Sequence, residues 1–75
     1  MRYFFDIRDD FYAAEDNDGE ELAGIEAARR EAVRVASSIA GDLFASEGSA
    51  ITVTVRDENR PVFEVNVNIS RRNLA

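Results

Sequence analysis

The sequence predicts an α+β domain: a four-stranded, mainly antiparallel sheet with one helix packed on one face, in the order ββαββ. Three observations carry that prediction. Residues 2–8 alternate between two kinds of side chain with period two, and residues 50–56 and 62–69 do the same. Residues 25–46 instead repeat apolar side chains at the three-and-four spacing of a helix. One helix covers one face of such a sheet, and an antiparallel sheet tolerates water on the other.

In the first strand Tyr3, Phe5 and Ile7 share one face, and Phe4, Asp6 and Arg8 share the other. Asp9-Asp10 is turn-like, and residues 11–15 return as a short second strand. Residues 15–19, Glu-Asp-Asn-Asp-Gly, are a loop by composition, and residues 20–22 extend briefly after it. In the helix Ile25, Ala28, Ala32, Val35, Ala36, Ile39 and Leu43 form the apolar stripe, with Val33, Ala40 and Phe44 as a shoulder. Arg30, Arg34, Ser37, Ser38 and Gly41 lie opposite, toward water. Gly24 is the expected N-cap and Gly48 the expected stop, with Glu26 and Arg30 as an i, i+4 ion pair. Gly41 inside the helix costs about 1 kcal/mol relative to alanine.

The C-terminal hairpin sets Ile51, Val53, Val55, Phe63, Val65, Val67 and Ile69 toward the helix. Its turn, residues 57–61, has the length of a type I turn followed by a left-handed residue, a conformation Asn59 tolerates. Pro61 donates no N–H and belongs where the ladder needs none. Residues 71–75 read as a frayed tail.

The 75 residues form a single domain, 1–75, with room for only one core. A core of this size contributes about 3–5 kcal/mol, and small domains often add a staple. Cysteine and histidine are both absent, which removes disulfides, thiolate metal sites and the usual zinc ligands. Self-association is the staple that remains. No apolar stretch has the length of a membrane span or a signal peptide, so the expected compartment is the cytoplasm, with no membrane partner.

The net charge of −6 is concentrated near the start of the chain. Residues 1–24 carry eight acids against Arg2 and Arg8, whereas residues 25–75 balance seven acids with seven arginines. An acidic N-terminal third opposes general binding to a phosphate backbone. Asp16 and Asp18 around Gly19 resemble part of an EF-hand loop. Aligning Gly19 to its sixth position, however, places Ala14 and Ile25 where the first and last ligands belong. Ser37-Ser38 has no histidine base, and the Asp9-Asp10 pair has no pocket to raise a carboxyl pKa. No enzyme, cofactor or metal is expected.

Four segments taken together, RYFFDIRDD, EDNDGEEL, IEAARREAVRVA and VRDENRPVFEV, resemble a family of small bacterial proteins catalogued as a domain of unknown function. The resemblance spans nearly the whole chain. Its most specific parts are residues 3–8, YFFDIR, and residues 26–29, EAAR. The chain departs from that pattern at Gly24, where the family often has Asp or Ser, and at Asn59, where it often has Gly. The resemblance implies the fold and carries over no activity, cofactor or catalytic residue.

The function expected from the residues is therefore that of a small acidic, non-enzymatic interaction or regulatory module that forms a homodimer, with an unknown protein as a further partner. The candidate interaction face is the sheet surface away from the helix: Phe4, Asp6, Arg8, Thr52, Thr54, Arg56, Glu64, Asn66 and Asn68. Phe4→Ala is expected to weaken association more than folding. The alternatives are binding of nucleic acid or a small ligand on that face, disfavoured because one aromatic stands beside Asp6 and Glu64, and a carboxylate-based enzyme.

Overall fold

The computed structural model describes residues 1–43 and 49–75. The elements are β1 (Arg2–Asp9), β2 (Ala13–Ala14), β3 (Glu20–Glu21), α1 (Ile25–Leu43), β4 (Ala50–Arg56) and β5 (Pro61–Asn68). They make an α+β fold with an antiparallel sheet of five strands rather than four. Along β2-β1-β4-β5 every neighbour is antiparallel, and β3 pairs with the same side of β1 as β2 does. The additional strand comes from residues 20–21, whose backbone reaches Arg2 and Tyr3. The expected second strand shrinks to Ala13–Ala14, because the Asp9 carboxylate accepts the N–H groups of Phe11 and Tyr12 at 2.7 Å and turns that stretch into a loop.

The core lies between α1 and the sheet. Ala28, Ala32, Ala36 and Ala40 are buried at every fourth position of the helix, against Tyr3, Phe5, Ile51, Val53 and Val55. An alanine stripe lets a helix lie close to a strand, so the large side chains come from the sheet. Ile7, Val35, Ile39, Phe63, Val65 and Val67 close the sides while half-buried. Gly24 is the N-cap, since its carbonyl accepts Ala28 N–H at 3.0 Å.

Several sequence expectations are corrected. Val33 is 52% exposed and Ile25 39%, because the helix turns the alanines rather than its whole apolar arc to the sheet. Ile69 lies beyond β5 and is 50% exposed. Glu26 pairs with Arg29 at 2.7 Å, one position short of Arg30, and Glu31 pairs with Arg34 at 2.6 Å. The β4–β5 turn needs no left-handed residue. Asp57 accepts the N–H groups of Asn59 and Arg60 through its carboxylate, and no described residue other than glycine has positive φ. Phe44 and Gly48, with the final residues of the expected helix and the side chain of Leu43, lie outside the described residues.

Candidate functional site

Residues that alternate with the core side chains of β1, β4 and β5 build the open face. The register places Phe4 opposite Arg56, Asp6 opposite Thr54 and Arg8 opposite Thr52, and continues from Thr52 to Asn66 and from Thr54 to Glu64. All nine candidate residues share this face, as the alternation predicts, but they divide into two groups.

One end is taken up by the protein's own loop. Arg56 donates from Nε to Asp6 at 2.7 Å and from Nη2 to the Asp16 carbonyl at 2.7 Å, and its guanidinium carbon stands 4.6 Å from the centre of the Phe4 ring. Asp6 accepts the backbone N–H of Asp16 at 2.9 Å through its other oxygen. Gly19 closes the knot at φ 72°; a Cβ there would stand 2.8 Å from Phe4 Cε1 and 2.9 Å from Arg2 Cγ. Only glycine meets both demands, a left-handed backbone and contact with an aromatic ring.

Asp16 links the knot to the sheet edge. Tyr3 and Ile7 face partner strands on the outer side of β1, and Asp9 N–H donates to the Tyr12 carbonyl at 2.9 Å. Phe5 falls in the gap between β3 and β2, and its N–H donates to Asp16 Oδ2 at 3.1 Å, so a side chain completes the ladder. Asp16 Oδ1 accepts the N–H groups of Asp18 and Gly19, both at 3.0 Å. Burial pushes this carboxyl upward, but the N–H groups of Gly19, Phe5 and Asp18 and the charge of Arg56 outweigh it and hold it below the ordinary carboxylate value. Donating to the Asp6 carboxylate likewise strengthens the hold of Arg56 on its proton. Composition suggests a loop at 15–19; the two bonds that tie it to β1, from Phe5 N–H to Asp16 and from Asp16 N–H to Asp6, join residues 11 and 10 apart and leave no local signal.

The other end stays free of the loop. Arg8 is exposed, Thr52 donates its hydroxyl to Asn66 Oδ1 at 2.7 Å, and Glu64, Asn66 and Asn68 face water along β5. Hollows beside β1 and β2 are shallow and open. No three acidic side chains converge as a metal-binding set among the described residues. No helix among them is long and apolar enough to cross a membrane.

The outer edge of β5 is a second surface. Ile69 N–H points inward, donating to the Ser49 carbonyl at 2.9 Å. By alternation the backbone groups of Phe63, Val65 and Val67 also face β4, while Glu64, Asn66 and Asn68 turn theirs outward. Among the described residues no strand pairs with that side. Val62, 37% exposed, and Ile69 lie on the same strand and just past its end.

A family model described as Domain of unknown function (DUF6894) matches residues 2–68, nearly all of the sheet and helix described above. No curated protein and no solved structure matches the chain.

Proposed function

The chain belongs to the DUF6894 family, whose domain has no assigned function, and from its surface we propose that it is a non-enzymatic interaction module that acts in the cytoplasm as a two-fold homodimer. The observation that carries this reading is the outer edge of β5, with which no strand among the described residues pairs. A regular strand with unpaired N–H and C=O groups is a template for another strand, and proteins that do not use such an edge usually cover, bulge or charge it. Here the outer half of β5 carries a single charge, Glu64. A β-bulge at Val62, which stands unpaired between Pro61 opposite Arg56 and Phe63 opposite Val55, is confined to the turn end and leaves Phe63–Asn68 regular. A small core without cysteine gains stability by pairing, and a closed two-fold pair hides both copies of the edge. The open face offers less to a ligand, since Phe4, its aromatic side chain, already stacks under Arg56.

Sedimentation of the purified chain across micromolar to millimolar concentration tests the proposal. The expected result is a reversible rise from the 8.4 kDa of one chain to twice that mass. An 8.4 kDa species at every concentration contradicts it.

A further inference from the structure

We infer that the second copy pairs antiparallel along β5 in one register, with Val65 on the two-fold axis, Glu64 opposite Asn66 of the partner subunit, and Phe63 opposite Val67 of the partner subunit. This rests on the self-association reading and goes further by fixing the geometry. Outward-facing backbone groups must meet outward-facing groups, so Glu64, Asn66 and Asn68 pair only among their own kind. Over Phe63–Asn68, the stretch beyond the bulge, the two such registers with greatest overlap are centred on Val65 or on Asn66, and centring on Glu64 overlaps less. Centring on Glu64 sets that carboxylate directly against its own copy, which destabilises a strand pair. Centring on Val65 sets each Glu64 opposite an asparagine amide and keeps apolar side chains opposite one another on the helix side, with Phe63 opposite Val67. Centring on Asn66 instead sets Phe63 opposite Ile69, beyond the strand end.

Two further features suit the same arrangement. The first is Val33. α1 leaves from the Arg2 end of β1, where β3 pairs, and delivers the chain to the other end, where Asp10 accepts the Ser49 N–H at 2.7 Å; it therefore runs parallel to β1 and β5. The Arg29 guanidinium stands 5.9 Å from the Phe63 ring. Four helical residues onward, about 6 Å, match two strand residues, about 6.7 Å, which places Val33 abreast of Val65. A valine 52% exposed on an otherwise Arg- and Ser-bearing surface thus flanks the proposed axis, where its counterpart approaches from the other copy on the same face of the sheet. The second is charge. The turn before β5 (Asp57, Glu58, Arg60) is net negative, and the segment after it carries Arg71 and Arg72. Antiparallel pairing brings each turn to the other copy's arginines, which offsets the repulsion between two chains of charge −6.

The chain has no cysteine, so each introduced thiol is unique. Single variants Glu64→Cys, Val65→Cys and Asn66→Cys are oxidised and run on a non-reducing gel. Residues directly opposite across an antiparallel pair have Cβ atoms about 4.5–5.5 Å apart, and diagonal ones about 7–8 Å, beyond easy disulfide reach. The expected result is cross-linking of Val65→Cys with itself, and of Glu64→Cys with Asn66→Cys only when the two are mixed. The mixed pair uses exposed positions, so it reports the register even where Val65→Cys disturbs packing under the helix. Self-cross-linking of Glu64→Cys or Asn66→Cys alone overturns the register. An unmodified chain that sediments as a dimer while none of the three variants, alone or mixed, cross-links overturns edge pairing and leaves self-association standing; a monomeric chain removes both.

Discussion

The two outer edges of the sheet are built in opposite ways. On the β1 side, two strands of two residues each cover the ends of the edge, and the Asp16 carboxylate fills the gap at Phe5. Gly19, Phe4 and Arg56 lock that cover in place from the open face. On the β5 side nothing among the described residues covers an eight-residue strand. A backbone edge can therefore be closed by very little regular structure, provided one acidic side chain stands in for the absent ladder acceptor. The same chain that closes one edge leaves the other without a paired strand among the described residues.

The largest effect is expected from breaking the closed edge at its tightest point. Gly19→Val adds a left-handed β-branched residue and a Cβ less than 3 Å from Phe4 and Arg2. Left-handed strain and overpacking together cost about 3 kcal/mol, most of the stability of so small a domain. Urea melting should show a largely unfolded variant, and a stability equal to that of the parent would mean that the loop is not seated on Phe4.

Phe4→Ala comes next. Alternation alone makes Phe4 an exposed contact for another chain, but Arg56 and Gly19 make it an internal contact of the closed edge. Removing a half-buried aromatic ring is expected to cost the fold about 2 kcal/mol while the dimer constant, read by sedimentation of the folded fraction, stays unchanged. The reverse pattern would return Phe4 to the interface.

Asp16→Asn sharpens the comparison further. Its amide turns one N–H₂ group toward backbone N–H donors that now meet two carboxylate oxygens. The loss is about 2 kcal/mol, the range for hydrogen bonds to a charged group. Because the native carboxyl is held below its ordinary 3.8, the stability it supplies is complete above that value and is lost as pH falls through the lower folded value. The gap in melting temperature between parent and variant should therefore be full at about pH 5 and above and narrow steadily below pH 4. A gap independent of pH would show that the Asp16 charge plays no part. Asp10, Glu31 and Asp57 are depressed as well and lower the parent's acid stability in the same direction, which is why the difference between the two proteins is the quantity to follow.

Much of this architecture is legible in the residues. Period-two alternation puts Tyr3, Phe5, Ile51, Val53 and Val55 on the buried side of their strands, and helical spacing puts Ala28, Ala32 and Ala36 on the buried stripe, while Ala40, expected on its shoulder, is buried with them. What escapes reading is what depends on distant partners. Ala13–Ala14 and Glu20–Glu21 are too short to show a period, and they become strands only because β1 offers an edge. Asp16 looks like any loop acid until Phe5 is beside it, and the need for glycine at position 19 arises from Phe4 and Arg2. Val33 belongs to the apolar arc by spacing, and only the tilt toward the alanine line exposes it. The open face of nine candidate residues is visible as a face, but its division into a locked end and a free end is set by the loop.

Amide hydrogen exchange along β5 tests the central claim most directly. If the bare edge is a pairing surface, the outward N–H groups of Glu64 and Asn66 exchange fast in dilute solution and become protected as concentration rises. Phe63, Val65 and Val67, already bonded to β4, stay slow throughout. Fast exchange at Glu64 and Asn66 at every concentration up to millimolar would contradict it.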